Sequence, residues 1–206
     1  MFNKKSRFLA AIIGFIILLL IVGIIGYQMF GTATPIKNPL NYEVQNFQFH
    51  NQDGTSVSLD DLKGDVWLAN FIFTNCETVC PPMTANMSKI QKKIKEEGLN
   101  AKIISFSVDP EVDTPDKIKE FTKPYDITFD NWSFLTGYKQ EEIEKFASKS
   151  FKALVKKPEN SDQVIHGTNF YLVDQNGRVM KDYIGSNADT PYEEIISDIK
   201  ALENSK

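Results

Sequence analysis

Hydrophobic and polar positions divide the chain into one long apolar run and a longer part in which short apolar runs alternate with amphipathic stretches. Residues 8–30 contain no charged side chain and are dense in Ile and Leu. A helix rises about 1.5 Å per residue, so about 20 such residues cross the ~30 Å hydrocarbon core of a bilayer. The pattern therefore predicts one transmembrane helix over residues 8–30, preceded by a tail of residues 1–7.

The charges that flank this run predict its orientation. Lys4, Lys5 and Arg7 stand before it, and the next charged residue after it is Lys37. The positive-inside rule places the N-terminus in the cytoplasm and the rest of the chain outside the cell membrane. The alternative is a cleaved signal peptide, but the apolar core of a signal is typically only ~7–15 residues long. No cysteine lies near the run, so a lipid-anchored form is not expected.

Turn signals organise the exported part. Residues 31–45 contain two prolines and little periodicity and are interpreted as a tether, which leaves residues 46–206 as one domain. Two tetrapeptides predict hairpins, because each ends in Asp-Gly or Asn-Gly between apolar strands: NQDG at 51–54 and DQNG at 174–177.

The remaining periodicity predicts buried strands and helices. Val66–Phe73 and Ala101–Val108 are almost wholly apolar, as in strands that are covered on both faces. Helical spacing of apolar residues follows the two cysteines, recurs after Thr114, and extends over residues 140–151 and from Thr190 onward. This order predicts a thioredoxin-like α/β domain with an added N-terminal hairpin. The connection lengths predict parallel pairing across the first crossover and antiparallel pairing in the last hairpin.

Composition and charge exclude several classes of protein. The chain is 42% hydrophobic and 24% charged, near the average of globular proteins, which excludes a disordered chain. Three of its 23 basic residues precede the anchor and no acidic residue does, so the exported part has 20 basic against 27 acidic residues. Nucleic acid is therefore not expected as a partner. The presence of only two cysteines excludes a disulfide framework, and the small number of cysteines and histidines excludes a zinc site that needs four such ligands from more than one motif.

The two cysteines indicate sulfur chemistry. Cys76 and Cys80 stand between a predicted buried strand and a predicted helix, the sheet edge where sites form in open α/β folds. A helix N-terminus favours a thiolate, so it should lower the pKa of a thiol placed there. A purely stabilising disulfide is the alternative, but closing so short a loop contributes only about 2 kcal/mol. Thiol–disulfide exchange and binding of a soft metal both remain open.

His166 is the candidate third metal ligand. It lies just before a predicted strand, in a loop that a thioredoxin-like sheet brings beside the cysteines; alternatively, it is an ordinary hydrogen-bonded loop residue. Two thiolates and one imidazole suit Cu(I), suit Cu(II) when an oxygen ligand is added, and could also hold zinc. His50 is interpreted as a strand-end residue and Met83 as a core residue.

Asp109 follows the second buried strand and is expected at the same sheet edge. It either turns the chain before Pro110 or acts at the site, by orienting an imidazole or by offering an oxygen to copper. Lys152, Lys156 and Lys157 are interpreted as a solvated loop, the alternative being a contact for an acidic partner.

Three segments together resemble the Sco/SenC family of copper-assembly proteins: FTNCETVCPPM at 73–83, SVDPEVDTP at 107–115 and IHGTNFYLVDQNG at 165–177. The resemblance covers about residues 45–203 and is strongest to members from Gram-positive bacteria. It implies a thioredoxin-like fold, a single N-terminal membrane anchor, and a role in building the binuclear CuA site in subunit II of cytochrome c oxidase. It also implies that Cys76, Cys80 and His166 bind copper, with Asp109 as an auxiliary residue.

The same resemblance leaves two activities open. A metallochaperone would give copper to the oxidase, whereas a thiol–disulfide reductase would keep the copper-ligand cysteines of subunit II reduced; other copper carriers or thiol reductases would then be further partners. The C-x-x-x-C spacing differs from the C-x-x-C of general oxidoreductases and favours copper. A peroxidase of the peroxiredoxin type fits poorly, because the only arginines are Arg7 and Arg178.

Overall fold

The computed structural model describes residues 12–23 and 36–205. The chain divides into two units, with the boundary between Ala33 and Thr34. In the first unit residues 12–23 form a helix, α1, whose side chains are exposed. The rest of the predicted anchor (8–11 and 24–30), the predicted tail and the first part of the predicted tether lie outside the described residues. Among the described residues, no helix combines the length and apolarity that a membrane crossing needs.

The described part of the second unit is built on a mixed sheet with four further α-helices. In chain order the strands are β1 (Tyr42–Glu43), β2 (Gln48–Asn51), β3 (Ser56–Ser58), β4 (Trp67–Ile72), β5 (Lys102–Ser107), β6 (Trp132–Thr136), β7 (Val155–Lys156), β8 (Ile165–His166), β9 (Asn169–Val173) and β10 (Arg178–Ile184). The helices are α2 (Cys80–Glu96), α3 (Pro115–Thr122), α4 (Gln140–Phe151) and α5 (Tyr192–Glu203), with a short 3-10 helix at Asp60–Leu62. Eight strands pair in the order β1-β10-β9-β4-β5-β6-β2-β3, and β7 pairs with β8 separately.

The strand pairing confirms the predicted α/β class. Strands β4 and β5 are parallel across the first crossover, and β9 and β10 are antiparallel around the second predicted turn. Strands β2 and β3 form the added N-terminal hairpin. The predicted order omitted β6, which lies between α3 and α4 and pairs in parallel with β5. Its apolar residues are interrupted by Ser133, so the run is too short to stand out from a loop.

The centre of the sheet is buried on both faces. Every residue of β4 is buried. On one face Phe71 packs against Phe106 of β5 and Phe151 of α4, with ring centroids 5.7 and 5.5 Å apart. Successive strand residues point to opposite faces, and Leu68 and Ile72, on the other face, are also buried. Burial of both faces holds the carboxyl end of β4 in place, and the cysteines follow this end.

The ends of α2 are set by the sequence around it. Pro81 and Pro82 occupy the first turn, where their missing N–H groups are not needed. Gly98 ends the helix at a φ of +65°, a left-handed conformation that glycine adopts readily. The two prolines thus favour a helix that begins at Cys80, at the end of the loop that carries Cys76.

Candidate metal centre

The two cysteines lie where the sequence pattern predicts them, at the carboxyl end of β4. Cys76 is in the loop after β4, and Cys80 is the first residue of α2. Both side chains are buried, with exposed fractions of 6% and 0%. The backbone N–H of Cys80 donates to the Cys76 sulfur at 3.3 Å. The N-terminus of α2 is thus directed at Cys76.

His166 reaches the cysteines from β8, 86 residues further along the chain than Cys80. Its Nε2 lies 3.4 Å from the Cys80 sulfur, and its Nδ1 lies 2.8 Å from the carbonyl oxygen of Gly167. The tautomer that donates Nδ1–H to this carbonyl leaves the Nε2 lone pair directed at the sulfurs. The imidazole and the Phe73 ring are nearly perpendicular, with their centroids 5.7 Å apart. The hydrogen bond to Gly167 and the contact with Phe73 together fix the orientation of the imidazole.

Three possible ligand atoms come together at this point. The sulfurs of Cys76 and Cys80 and a ring nitrogen of His166 all lie within 4.8 Å of one another. Two thiolates and one imidazole form a soft donor set that suits copper and also fits zinc when a fourth ligand is added. The cysteines are buried and His166 is half-buried, so the cluster is open to solvent only on the histidine side.

The two thiols have opposite electrostatic environments. A hydrogen bond from the Cys80 side chain lowers the pKa of Cys76 far below its ordinary value, with further contributions from His166 and from backbone N–H groups. The Cys76 side chain and burial both raise the pKa of Cys80. The metal-free pair is therefore one thiolate and one thiol. The helix N-terminus stabilises the thiolate at Cys76, not at its own first residue.

Asp109 lies outside the three-residue cluster. Its carbonyl accepts hydrogen bonds from the N–H groups of Val112 and Asp113, so it does turn the chain after β5. Its side chain is 1% exposed, and Oδ1 accepts from Nζ of Lys157 at 2.6 Å. The solvated-loop interpretation is therefore wrong for Lys157, which forms an ion pair with a buried carboxylate.

Asp113 is a site-supporting residue that the sequence pattern did not single out. Its buried side chain accepts from the N–H and hydroxyl of Thr74 at 3.0 and 2.6 Å, and from the Ser107 hydroxyl at 2.5 Å. It thus ties the end of β5 to the start of the cysteine loop. The sequence signal that could have identified Asp113 is its place in the segment SVDPEVDTP, four residues after Asp109.

The other two interpretations agree with the structure. Met83 is fully buried, as expected of a core residue. His50 lies in β2 opposite Thr136 of β6.

Comparison with known proteins identifies the family. The SCO1/SenC family model matches residues 37–204. The SCO1 protein homolog of Bacillus subtilis is 63% identical over 171 residues, which cover 83% of this chain and 88% of the relative. A solved structure of BsSco, described as a member of the Sco family of cytochrome c oxidase assembly proteins with a disulfide switch, is 62% identical. It superposes with a TM-score of 0.78 over 84% of this chain and 100% of its own.

A more distant relative has been solved with copper. The structure of Bradyrhizobium japonicum ScoI with copper bound is 28% identical, with a TM-score of 0.64 over 78% of this chain and 99% of its own. The chain described here belongs to the SCO1/SenC family.

Proposed function

We propose that this member of the SCO1/SenC family is a copper chaperone that holds copper with Cys76, Cys80 and His166 and delivers it to the CuA site of cytochrome c oxidase subunit II. One observation carries the proposal: the two sulfurs and the imidazole nitrogen lie within 4.8 Å of one another. The copper-bound structure of a relative supports the choice of metal. The description of another as an oxidase assembly protein supports the destination.

The arrangement suits a metal that is carried and then released. Cys76 is already a thiolate, whereas Cys80 must lose its proton when copper binds, so loading releases a proton. Cu(I) is satisfied by the two sulfurs, and the nitrogen of His166 matters more for Cu(II). Since the cluster is open only on the histidine side, the ligands of an acceptor would approach there and displace His166 first.

The proposed location is the outer face of the cell membrane, with residues 8–30 as a single-pass anchor and residues 1–7 in the cytoplasm. The charge asymmetry around the apolar run supports this orientation. Protease added to cells stripped of their wall should digest residues 46–206 and spare a tag fused to the N-terminus. Protection of residues 46–206 would contradict the location.

A thiol–disulfide reductase is the second candidate, because the pair consists of a thiolate beside a thiol. The Cys76 thiolate would attack a disulfide of the target and release one target thiolate. Cys80 would then lose its proton and attack Cys76, which releases the second target thiol and leaves a Cys76–Cys80 disulfide for a thiol reductase to reduce. Burial raises the pKa of Cys80 and slows this second step, because the thiolate is the nucleophile. Thiol exchange also has no use for the imidazole of His166, whereas a metal uses all three clustered ligand atoms, so the arrangement favours copper.

The variant His166→Ala separates the two functions, because exchange needs only the sulfurs. If the protein delivers copper, cells with His166→Ala should lose oxidase assembly about as fully as cells with Cys76→Ser. His50→Ala, which changes the other histidine, is the matched control and should leave assembly intact. Near-normal oxidase in His166→Ala cells, at equal protein abundance and ordinary copper supply, would favour the reductase.

A further inference from the structure

The strand that carries His166 is separate from the main sheet. Strand β8 pairs only with β7 among the described residues, and His166 lies directly opposite Val155. Lys156 of β7 lies opposite Ile165. His166 is therefore held by β7 on one side, and on the other side the chain enters β9 of the main sheet three residues later, at Asn169. The two-residue ladder is the only strand pairing of β8 among the described residues.

A carboxylate of α4 holds the end of β7. Oε1 of Glu144 accepts from the backbone N–H of Lys157 at 3.0 Å, and Oε2 accepts from Nζ of Lys156 at 3.0 Å. The Glu144 side chain is only 19% exposed, so these bonds are partly shielded from water. Both oxygens of one rigidly mounted side chain are thus directed at β7 and the residue after it.

Lys157, whose backbone N–H binds Glu144, is held from a second direction by its side chain. Nζ of Lys157 lies 2.6 Å from Oδ1 of Asp109, in the turn that follows β5. The lysine side chain is 22% exposed and the aspartate 1%. Removal of one partner from such a pair leaves a buried charge uncompensated, which is far more costly than breaking a surface ion pair. The backbone of Lys157 is bound to α4, and its side chain is bound to the turn that follows β5.

We propose that Asp109, Lys157 and Glu144 form an anchor that holds the β7–β8 hairpin and so keeps His166 within reach of Cys80. In this anchor Asp109 acts on the metal centre through Lys157, and Lys157 and Glu144 are positioning residues. The consequence for copper rests on the proposed function: loss of the anchor should weaken the site for Cu(II), which needs the nitrogen, far more than for Cu(I).

The first test needs no metal. Hydrogen–deuterium exchange is measured on the reduced full chain, purified in detergent, for the wild type, Lys157→Met and Lys157→Arg. Lys145→Met is the control, because Lys145 is an exposed lysine of α4. In Lys157→Met, exchange should rise at least tenfold across residues 155–166 and stay unchanged in β4. Arginine keeps the charge and should restore most of the protection. Unchanged exchange across residues 155–166 would overturn the anchor.

The second test adds copper to the same proteins. Lys157→Met should bind Cu(II) at least tenfold more weakly and lose the nitrogen splitting in its paramagnetic resonance spectrum. Its Cu(I) affinity should stay within threefold of wild type. Equal Cu(II) affinity with an intact nitrogen signal would overturn the role of the anchor in binding. If the wild type binds no copper, the proposed function fails, and the exchange data still show whether Asp109, Lys157 and Glu144 hold the β7–β8 hairpin. If Lys157→Met does not fold, Glu144→Ala takes its place with the same expected results.

Discussion

Removal of the Asp113 carboxylate should destabilise the domain and loosen the cysteine loop. This side chain has an exposed fraction of 0% and accepts three hydrogen bonds, two from Thr74 and one from Ser107. Thr74 lies two residues before Cys76, so Asp113 links the metal centre to the end of β5. The substitution Asp113→Ala deletes all three bonds and leaves the N–H of Thr74 without its partner.

The size of the effect follows from these contacts. A net hydrogen bond contributes about 1 kcal/mol to stability, and a buried donor left unsatisfied costs about 1–3 kcal/mol. A second effect of the substitution is stabilising. Burial raises the pKa of Asp113 because the folded protein removes the carboxylate from water, and this desolvation cost disappears when the carboxyl group is removed. We expect the free energy of unfolding to fall by about 2–4 kcal/mol.

Urea unfolding of the reduced protein, followed by tryptophan fluorescence, measures this change. Glu111→Ala is the matched control, because Glu111 lies in the same turn and is exposed. The control should stay within about 0.5 kcal/mol of wild type, as is usual for surface substitutions. A change in Asp113→Ala no larger than in the control would refute the view that Asp113 ties the two segments together.

Two further predictions concern packing and thiol reactivity. A Cβ at Gly185 would overlap the Phe170 ring, so Gly185→Ala should lower the free energy of unfolding by about 1–3 kcal/mol, whereas Gly167→Ala, whose Cβ would lie 4.0 Å from the Tyr171 hydroxyl, an ordinary van der Waals distance, should change it little in the same urea experiment. Because the pKa of Cys76 is held well below its ordinary value, its alkylation rate by iodoacetamide should be nearly constant between about pH 6 and 9. Cys80 should stay unmodified while the protein is folded, as peptide mass spectrometry can check; a rate at Cys76 that rises about tenfold per pH unit would contradict this assignment.

Local sequence patterns predicted the parts of the fold that local chemistry decides. The apolar runs of β4 and β5 are typical of strands covered on both faces, and the Asp-Gly and Asn-Gly turns predicted both hairpins. Strand β6 was not predicted, because a short apolar run that is interrupted by Ser133 shows no clear hydrophobic periodicity. Its parallel pairing with β5, not its own sequence, makes it a strand.

The candidate site shows the same division. The place of Cys76 and Cys80 after an apolar strand predicted them as site residues. His166 was predicted as a third ligand because the order of elements places its loop at the same edge of the sheet. The ion pair between Lys157 and Asp109 spans 48 residues and could not be read from either segment, where the lysine looks like an ordinary solvated residue. The role of Asp113 was hidden for a related reason, because Thr74 is 39 residues away.

Copper titration of the full chain in its dithiol and disulfide forms tests the central claim most directly. If Cys76 and Cys80 are both ligands, the reduced protein should bind one copper ion and the disulfide form none, because each sulfur must be a thiolate to coordinate the metal. Replacement of either cysteine by serine should abolish tight binding and leave the fold intact. Equal copper uptake before and after oxidation would contradict the account.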